Sequence, residues 1–338
     1  ADPSGSVYMG EGVFLHTSVE TPNGPQRSAN GGFYRYNPNR NQLIRLANMP
    51  IPNPWGTAFD RWGQDFFLHT SGPTVTWMMP STVKQRYGIS VPTSGNLIEP
   101  DHRVRPTSGL EFISSRHFPD EVQGDMLLNN TIGFLGTKQH QMMEDGTGFK
   151  TKWRQDLITS SDGNYRPVDL EFAPDGSLYI VDWHNILVGH MQHNARDPLR
   201  DHVHGRILRI TYPDRPLVTP AKIDGASIEE LFENLKLPEY RSRYRSRRAL
   251  RGKSGEAVYN HLQQWKGDLD DEHDLLEGLW VSWGINRIDE ELLLKLLKSQ
   301  DHRIRAAAVR VLRYNYKDIS DYQTLFEDAI ADEHGRVR

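Results

Sequence analysis

Short apolar runs, each entered through a glycine, recur along the first two thirds of the chain. Gly5-Ser6-Val7-Tyr8 resembles Gly176-Ser177-Leu178-Tyr179, and Ala1-Asp2-Pro3-Ser4 before the first matches Ala173-Pro174-Asp175 before the second. Phe59-Asp60-Arg61-Trp62-Gly63-Gln64-Asp65-Phe66-Phe67 has the same form. Phe118-Pro119-Asp120 with Gly124-Asp125-Met126-Leu127-Leu128 is a looser fourth copy. The glycines stand at 5, 63, 124 and 176, spaced 58, 61 and 52 apart. A glycine ahead of an apolar run is the pattern of a tight turn feeding a strand. A second strand pattern follows at a fixed delay. Gly32-Phe33-Tyr34-Arg35-Tyr36-Asn37-Pro38 comes 27 residues after Gly5, and Gly205-Arg206-Ile207-Leu208-Arg209-Ile210-Thr211-Tyr212-Pro213 comes 29 after Gly176. Two motifs recurring in one order at this period predict β-propeller blades, with a β-sandwich as the alternative.

The pattern changes to a helical period beyond residue 216. Ser227-Ile228-Glu229-Glu230 predicts a capping box on a helix that Pro238 ends. Leu292, Leu293, Leu296 and Leu297 share one helical face, as do Ile304, Ala308, Val311 and Leu312. Arg303-Ile304-Arg305 recurs as Arg336-Val337-Arg338, 33 residues later, which suggests HEAT-like helix pairs. Composition agrees. Residues 1–216 hold 21 of the 28 Gly and 18 of the 20 Pro, and Tyr212-Pro213-Asp214-Arg215-Pro216 reads as the linker. The expected fold is therefore a partial β-propeller of about four blades (1–216) followed by all-α HEAT-like repeats (217–338). Four blades of this length are fewer than the six or seven of comparable rings, so blades before Ala1 and repeats beyond Arg338 are expected.

Charge and composition then narrow the function. Forty Lys and Arg stand against 44 Asp and Glu, for a net charge of −4, and both parts carry 20 cations against 22 acids. Neither part has the basic balance of a nucleic-acid binder. No apolar run reaches the roughly 18 residues needed for a membrane span. Cysteine is absent, which excludes disulfides, thiolate metal sites and CxxCH haem attachment within the chain.

Residues 109–212 carry the most specific motifs. They are Ser108-Gly109-Leu110-Glu111-Phe112, His117-Phe118-Pro119, Arg166-Pro167-Val168-Asp169-Leu170, Asp182-Trp183, Gly189-His190, Arg196-Asp197-Pro198 and Arg200-Asp201-His202 with His204-Gly205-Arg206-Ile207. This stretch resembles the planctomycete-type membrane-bound dehydrogenase or haem-binding propeller proteins, which are similar to sorbosone and soluble quinone-dependent glucose dehydrogenases. The resemblance implies a propeller, then HEAT repeats, then a cytochrome c domain beyond Arg338 that would carry the haem. It also implies a periplasmic or secreted protein, with pyrroloquinoline quinone and calcium on the propeller axis and a histidine base. That base would lie in blades before Ala1, so no catalytic residue is assigned. Pro52-Asn53-Pro54-Trp55-Gly56 matches the cofactor motif through Asn53, with its arginine replaced. The cofactor contacts carried over are Asn53, Asn129, where the family has Lys, and Asn164 and Arg166, where it has paired arginines, with Asp169 beside them. The calcium loop falls near His69-Thr70-Ser71-Gly72-Pro73.

The residues themselves offer further candidates, each with a plainer alternative. Asp182 to His204 contains five His and three Asp that could bind a metal, with Asp182 and His184 on one face of the same strand end, while His69 is a metal candidate only through the calcium loop that the resemblance implies. The alternative is a long loop pinned by Asp–Arg and His–backbone bonds. Arg166 and Asp169 either hold an anion at a channel mouth or pair to close a blade. Asn129-Asn130 either donate to a ligand or form an Asx turn. The cations from Arg241 to Lys253 read as a solvated helix face beside Asp268, Asp270, Asp271 and Glu272. Trp280 and Trp283 read as core between repeats. Two functions remain open. One is an oxidoreductase acting on a sugar or polyol hydroxyl, passing electrons to a quinone and then haem. The other is a non-catalytic carbohydrate- or protein-binding propeller with a HEAT docking surface. The replaced cationic contacts favour this second reading, and the architecture implied by the resemblance favours the first, a quinone-dependent sugar or alcohol dehydrogenase.

Overall fold

The computed structural model describes residues 1–28, 30–49, 51–84, 88, 91–186 and 197–338. Among the described residues, the strands precede residue 211 and the α-helices follow residue 227. Strands β1 (Val7–Glu11), β4 (Gly32–Asn37) and β5 (Gln42–Asn48) form one antiparallel sheet, with the small ribbon β2 (Ser18–Val19) and β3 (Gln26–Arg27) beside it. Strands β6 (Pro54–Phe59), β7 (Asp65–His69) and β8 (Thr74–Trp77) form the second sheet. Strands β9 (Thr107–Phe112), β10 (Met126–Asn130), β11 (Gly136–Asp145) and β12 (Gly148–Thr159) form the third. Strands β13 (Pro167–Phe172), β14 (Leu178–Asp182) and β15 (Arg206–Ile210) form the fourth. In each of the last three sheets the strands neighbour one another in chain order, and β6, β9 and β13 pack in succession.

The continuous apolar runs follow from this stacking. A strand alternates its side chains between two faces, and here both faces are covered. Phe67 packs with Phe33 and Ala47 toward the first sheet, while Phe66 and Leu68 pack with Leu110, Met126 and Leu128 toward the third. Leu127 in turn joins Leu170, Phe172, Leu178 and Ile180 of the fourth. The four recurring glycines all adopt left-handed backbone, at φ 83°, 76°, 81° and 82° for Gly5, Gly63, Gly124 and Gly176. At three of them one hydrogen-bond pattern closes the turn. Gly176 N–H donates to Ala173 O at 3.0 Å and Ala173 N–H to Ser177 O at 2.8 Å, with equivalents at Asp2/Gly5 and Asp60/Gly63. A Cβ at Gly176 would also meet the Ser115 hydroxyl at 2.6 Å. Gly176→Ala should therefore destabilise the protein by about 2 kcal/mol, the left-handed penalty plus crowding, read as a lowered denaturant midpoint at unchanged slope.

Among the described residues the α-helices are α1 (Ile228–Glu233), α2 (Tyr240–Arg251), α3 (Gly255–Trp265), α4 (Glu272–Gly284), α5 (Glu290–Leu296), α6 (His302–Asn315) and α7 (Tyr322–Ile330). Ser227 and Glu230 form the capping box that opens α1. Leu292, Leu293, Leu296, Ile304, Ala308, Val311 and Leu312 bury together with Trp280 and Trp283. One expectation fails. The α2 arginines are not a solvated face, because Arg243 and Arg247 are buried and both pair with Glu277 of α4, while Arg241 pairs with Glu111 of β9. Asp268, Asp270, Asp271 and Glu272 are not their partners.

The helices cover the glycine-turn end of the sheets. Arg310 of α6 donates to Gly63 O and binds Asp65 at 2.8 Å. His273 bonds Arg61 O at 3.0 Å, and Arg251 donates to Ser4 O at 3.1 Å. Arg336 pairs with Glu144 and donates to Thr147 O at 3.1 Å on the β11–β12 hairpin.

Candidate functional site

The opposite end of the sheets is where β6, β9 and β13 begin and where β7, β10 and β14 finish. Side chains and carbonyls tie these starts together. Thr70 N–H donates to Asn53 O at 3.1 Å, and Thr107 N–H donates to Thr70 O at 3.4 Å. The Ser108 and Thr131 hydroxyls both donate to Pro167 O, at 2.8 and 3.0 Å. Trp55 Nε1 reaches across to Val168 O at 3.1 Å. Gly109 (φ 60°) lets β9 and β13 approach closely, because a Cβ there would meet Leu170 Cδ2 at 2.6 Å and Asp169 Cα at 3.0 Å. The residues singled out in the sequence thus lie at one end of the sheets, although their side chains do different work.

Arg166 is buried and its guanidinium is committed to backbone. Nε donates to Asn185 O at 2.9 Å, one terminal nitrogen to Thr131 O at 3.0 Å and the other to Ile186 O at 3.4 Å. Desolvation lowers its pKa. It makes no ion pair with Asp169, which is exposed and accepts from Leu170 N–H at 2.9 Å. Although Asp169 reaches solvent, partial desolvation raises its pKa. Asp182 is the hub of this corner. It accepts from the backbone N–H of Arg166 at 2.6 Å and of His184 at 2.8 Å, and binds Arg206 Nε at 2.6 Å. Asn164 carries the adjoining turn, its carbonyl accepting from Asn185 N–H at 3.0 Å.

A second group has buried polar atoms with no protein partner. Asn129 Oδ1 accepts from the Thr137 hydroxyl at 2.7 Å, but its Nδ2 is unpaired. Asn130 Nδ2 donates to Val104 O, but its Oδ1 is unpaired. Nδ1 of His69 and of His184 are likewise buried and unpaired. His184 sits in left-handed backbone at φ 53°, and burial lowers the His69 pKa. Asn53 is exposed and donates to the Ser71 hydroxyl.

The arrangement bears on cofactors. A quinone with three carboxylates wants cationic, bidentate partners. Arg166 is already used by carbonyls, and the asparagines add a single unpaired buried amide donor, so the residues carried over by the resemblance do not fit that clamp. A calcium loop wants free oxygens. His69 O and Thr70 O already accept from the Thr107 hydroxyl and N–H, at 3.3 and 3.4 Å. Among the described residues no group of three or more His, Asp or Glu could hold a metal ion. His190, His193 and Arg196 lie outside the described residues; His202 and His204 are exposed, with His204 bonded to Asp201 at 2.8 Å.

A cavity of about 510 Å³ lies at the other end, between the glycine turns and the helices. Asp60, Trp62, Glu111, Met142, Tyr240 and Arg303 are among its lining residues. The sequence marked Asp60 only as a turn residue. Its Oδ1 accepts from Trp62 N–H at 2.9 Å and Gln64 N–H at 2.8 Å, yet burial outweighs these bonds and raises its pKa from 3.8 to about 7. Between pH ~4 and ~7 the folded state then binds a proton that the unfolded chain has lost, so stability falls as pH rises through that window. Asp60→Asn keeps the oxygen that accepts both bonds. It should flatten this part of the stability–pH curve, measured by urea unfolding from pH 4 to 8.

Three solved structures are similar to this chain at low identity. One is a glucose dehydrogenase, 18% identical over 48% of this chain and 41% of that one, with a TM-score of 0.29. The second is a putative oxidoreductase (glucose dehydrogenase) from Thermus thermophilus, 18% identical over 51% and 48%, with a TM-score of 0.34. The third is a glucose dehydrogenase, 15% identical over 62% of each chain, with a TM-score of 0.35. The chain spans between 41% and 62% of the length of these structures. No curated protein matches it. A family profile described as a domain of unknown function, DUF7133, matches residues 3–214, which is the whole strand-bearing part and more than half of the sequence, and the chain belongs to that family.

Proposed function

We propose that residues 1–216 are blades of an oxidoreductase-like β-propeller that holds a sugar or polyol at the strand-start end. Residues 217–338 would be HEAT-like helix pairs that close the opposite end. One observation carries the ligand class. Buried polar groups in folded proteins are nearly always hydrogen-bonded, yet Asn129 Nδ2, Asn130 Oδ1, His69 Nδ1 and His184 Nδ1 are not, and each belongs to a residue at or just past the strand-start end of its sheet. The set mixes donors and acceptors. A neutral hydroxyl both donates and accepts and so suits it, whereas an anion could only accept. The resemblance to sugar dehydrogenases supports the same class and a periplasmic or secreted setting. No described helix is long and apolar enough to cross a membrane.

A second reading, a carbohydrate-binding module without catalysis, is favoured by the commitment of Arg166 to carbonyls. The oxidoreductase reading takes quinone and calcium from the resemblance, with haem in a domain outside this chain. Thermal unfolding separates the possibilities. A panel of neutral sugars and polyols should contain a member that raises Tm saturably, and Asn129→Ala should abolish the rise. If no member does so, the ligand class is wrong. Quinone with calcium, tested for a Tm rise and for dye reduction with that sugar, then decides between enzyme and binding module.

A further inference from the structure

A second cavity, of about 830 Å³, lies between β5 and the end of α6. Arg27, Arg40, Arg45, Lys84, Arg313 and Lys317 line it, against Asp318 as its one carboxylate. That balance is unusual on a chain whose net charge is −4. Three of the cations are partly neutralised. Arg40 binds Asp318 at 3.2 Å, Arg45 binds Glu11 at 3.3 Å, and Arg27 stands 3.7 Å from an exposed Glu20. Arg313 has no carboxylate among the described residues. It donates to the Thr82 hydroxyl at 3.0 Å and to Thr82 O at 3.2 Å, which fixes it beside Lys84. Lys84 and Lys317 are exposed, with no ion pair among the described residues.

Such a concentration of like charge raises the local concentration of anions and favours their binding. The uncharged lining narrows the class. Asn23, Gln26, Gln42, Asn48 and Asn315 supply amides, with few aliphatic side chains among them. Asn315 is 1% exposed; its Nδ2 donates to Val311 O at 2.7 Å, while its Oδ1 is buried without a partner. An orphaned acceptor in a cationic groove wants a ligand that carries hydroxyl donors as well as negative charge. We infer that this groove binds an acidic oligosaccharide, its carboxylates or sulfates meeting Lys84, Arg313 and Lys317 and its hydroxyls meeting the amides.

The test uses the whole chain and three six-unit probes: hexagalacturonate, neutral maltohexaose and hexaglutamate. Calorimetry at low salt should show saturable binding of hexagalacturonate, weakening as salt rises, and no binding of maltohexaose. The double variant Lys84→Gln/Lys317→Gln removes two exposed charges outside the core. It should weaken binding about fivefold or more, at the level of two surface ionic contacts, and leave the Tm of the free protein unchanged. Equal or tighter binding of hexaglutamate would replace the sugar with an acidic peptide and overturn the inference. Absence of saturable binding, or binding indifferent to the two lysines, overturns it as well. A sugar effect at the strand-start end is read separately, because Asn129→Ala should leave hexagalacturonate binding intact.

Discussion

Glu277→Ala should cost about 3–5 kcal/mol of folding stability, the expected penalty for removing one partner from a buried ion pair. Glu277 of α4 is completely buried and receives two guanidiniums from α2. Arg243 Nε binds at 2.9 Å, and Arg247 binds the other carboxylate oxygen. Burial opposes the charge on both sides. It lowers the Arg243 pKa and pushes Glu277 upward, but Arg247 and Arg243 together hold Glu277 below the usual carboxylate value. The ionised triad is the state the geometry supports, because one carboxylate faces two fixed cations. Alanine at 277 leaves both cations desolvated and uncompensated, although Arg243 keeps Leu237 O and Pro238 O at 2.7 and 2.6 Å. Chemical denaturation gives the magnitude. A triple variant with Arg243→Met and Arg247→Met should recover much of the loss, since apolar replacement of a whole buried ionic group is often near neutral. A loss below about 1 kcal/mol for Glu277→Ala would show that the triad is not desolvated as described.

Arg310→Met should be comparably severe, about 3–5 kcal/mol, with a different signature. Arg310 projects from α6 into the second sheet, where it bonds Gly63 O and Asp65. Asp65 is completely buried and also accepts from the Tyr8 hydroxyl at 3.1 Å. Desolvation is the largest influence on Arg310 and opposes its charge, but Asp65, Tyr8 and Tyr314 together with the Asp65 hydrogen bond raise its pKa on balance. The pair therefore pins the helices to the turn that starts β7. Loss of the guanidinium strands the Asp65 charge and removes the best-buried electrostatic tie between helices and sheets. Unfolding followed by far-UV circular dichroism and by tryptophan fluorescence should cease to coincide in the variant. The double-mutant cycle with Asp65→Asn should show a coupling of about 1–3 kcal/mol. Coincident transitions and additive losses would mean that the two parts are held together elsewhere.

These two sites also show the limit of the sequence. The glycine turns were legible because the constraint is local. A left-handed residue between two strands admits Gly at almost any register, so Gly5, Gly63, Gly124 and Gly176 stand out without any partner. The capping box at Ser227 and the leucine face of α5 are legible for the same reason, since caps and helical periods involve neighbours three or four residues apart. The order of strands before helices followed from where Gly and Pro stop. Stacking of Phe66, Phe67 and Leu68 between two neighbouring sheets explains why those runs do not alternate with polar residues, and it leaves the run itself as the signal.

What only the tertiary structure decided is where each charge and each amide finds its partner. The arginines of α2 look like a solvated face beside the acidic run Asp268 to Glu272. Folding instead brings Glu277 and Glu111 to them, 34 and 130 residues away. Arg166 has the composition of an anion site, yet three backbone carbonyls supplied by a loop and a neighbouring strand use it up. Asn129 and Asn130 look alike in the sequence, but one is left with an unpaired donor and the other with an unpaired acceptor. Local backbone preferences are fixed by each residue and its close neighbours, and so they are written in the sequence. Hydrogen bonding and desolvation depend on groups dozens or hundreds of residues away, and their outcome exists only once the chain has folded.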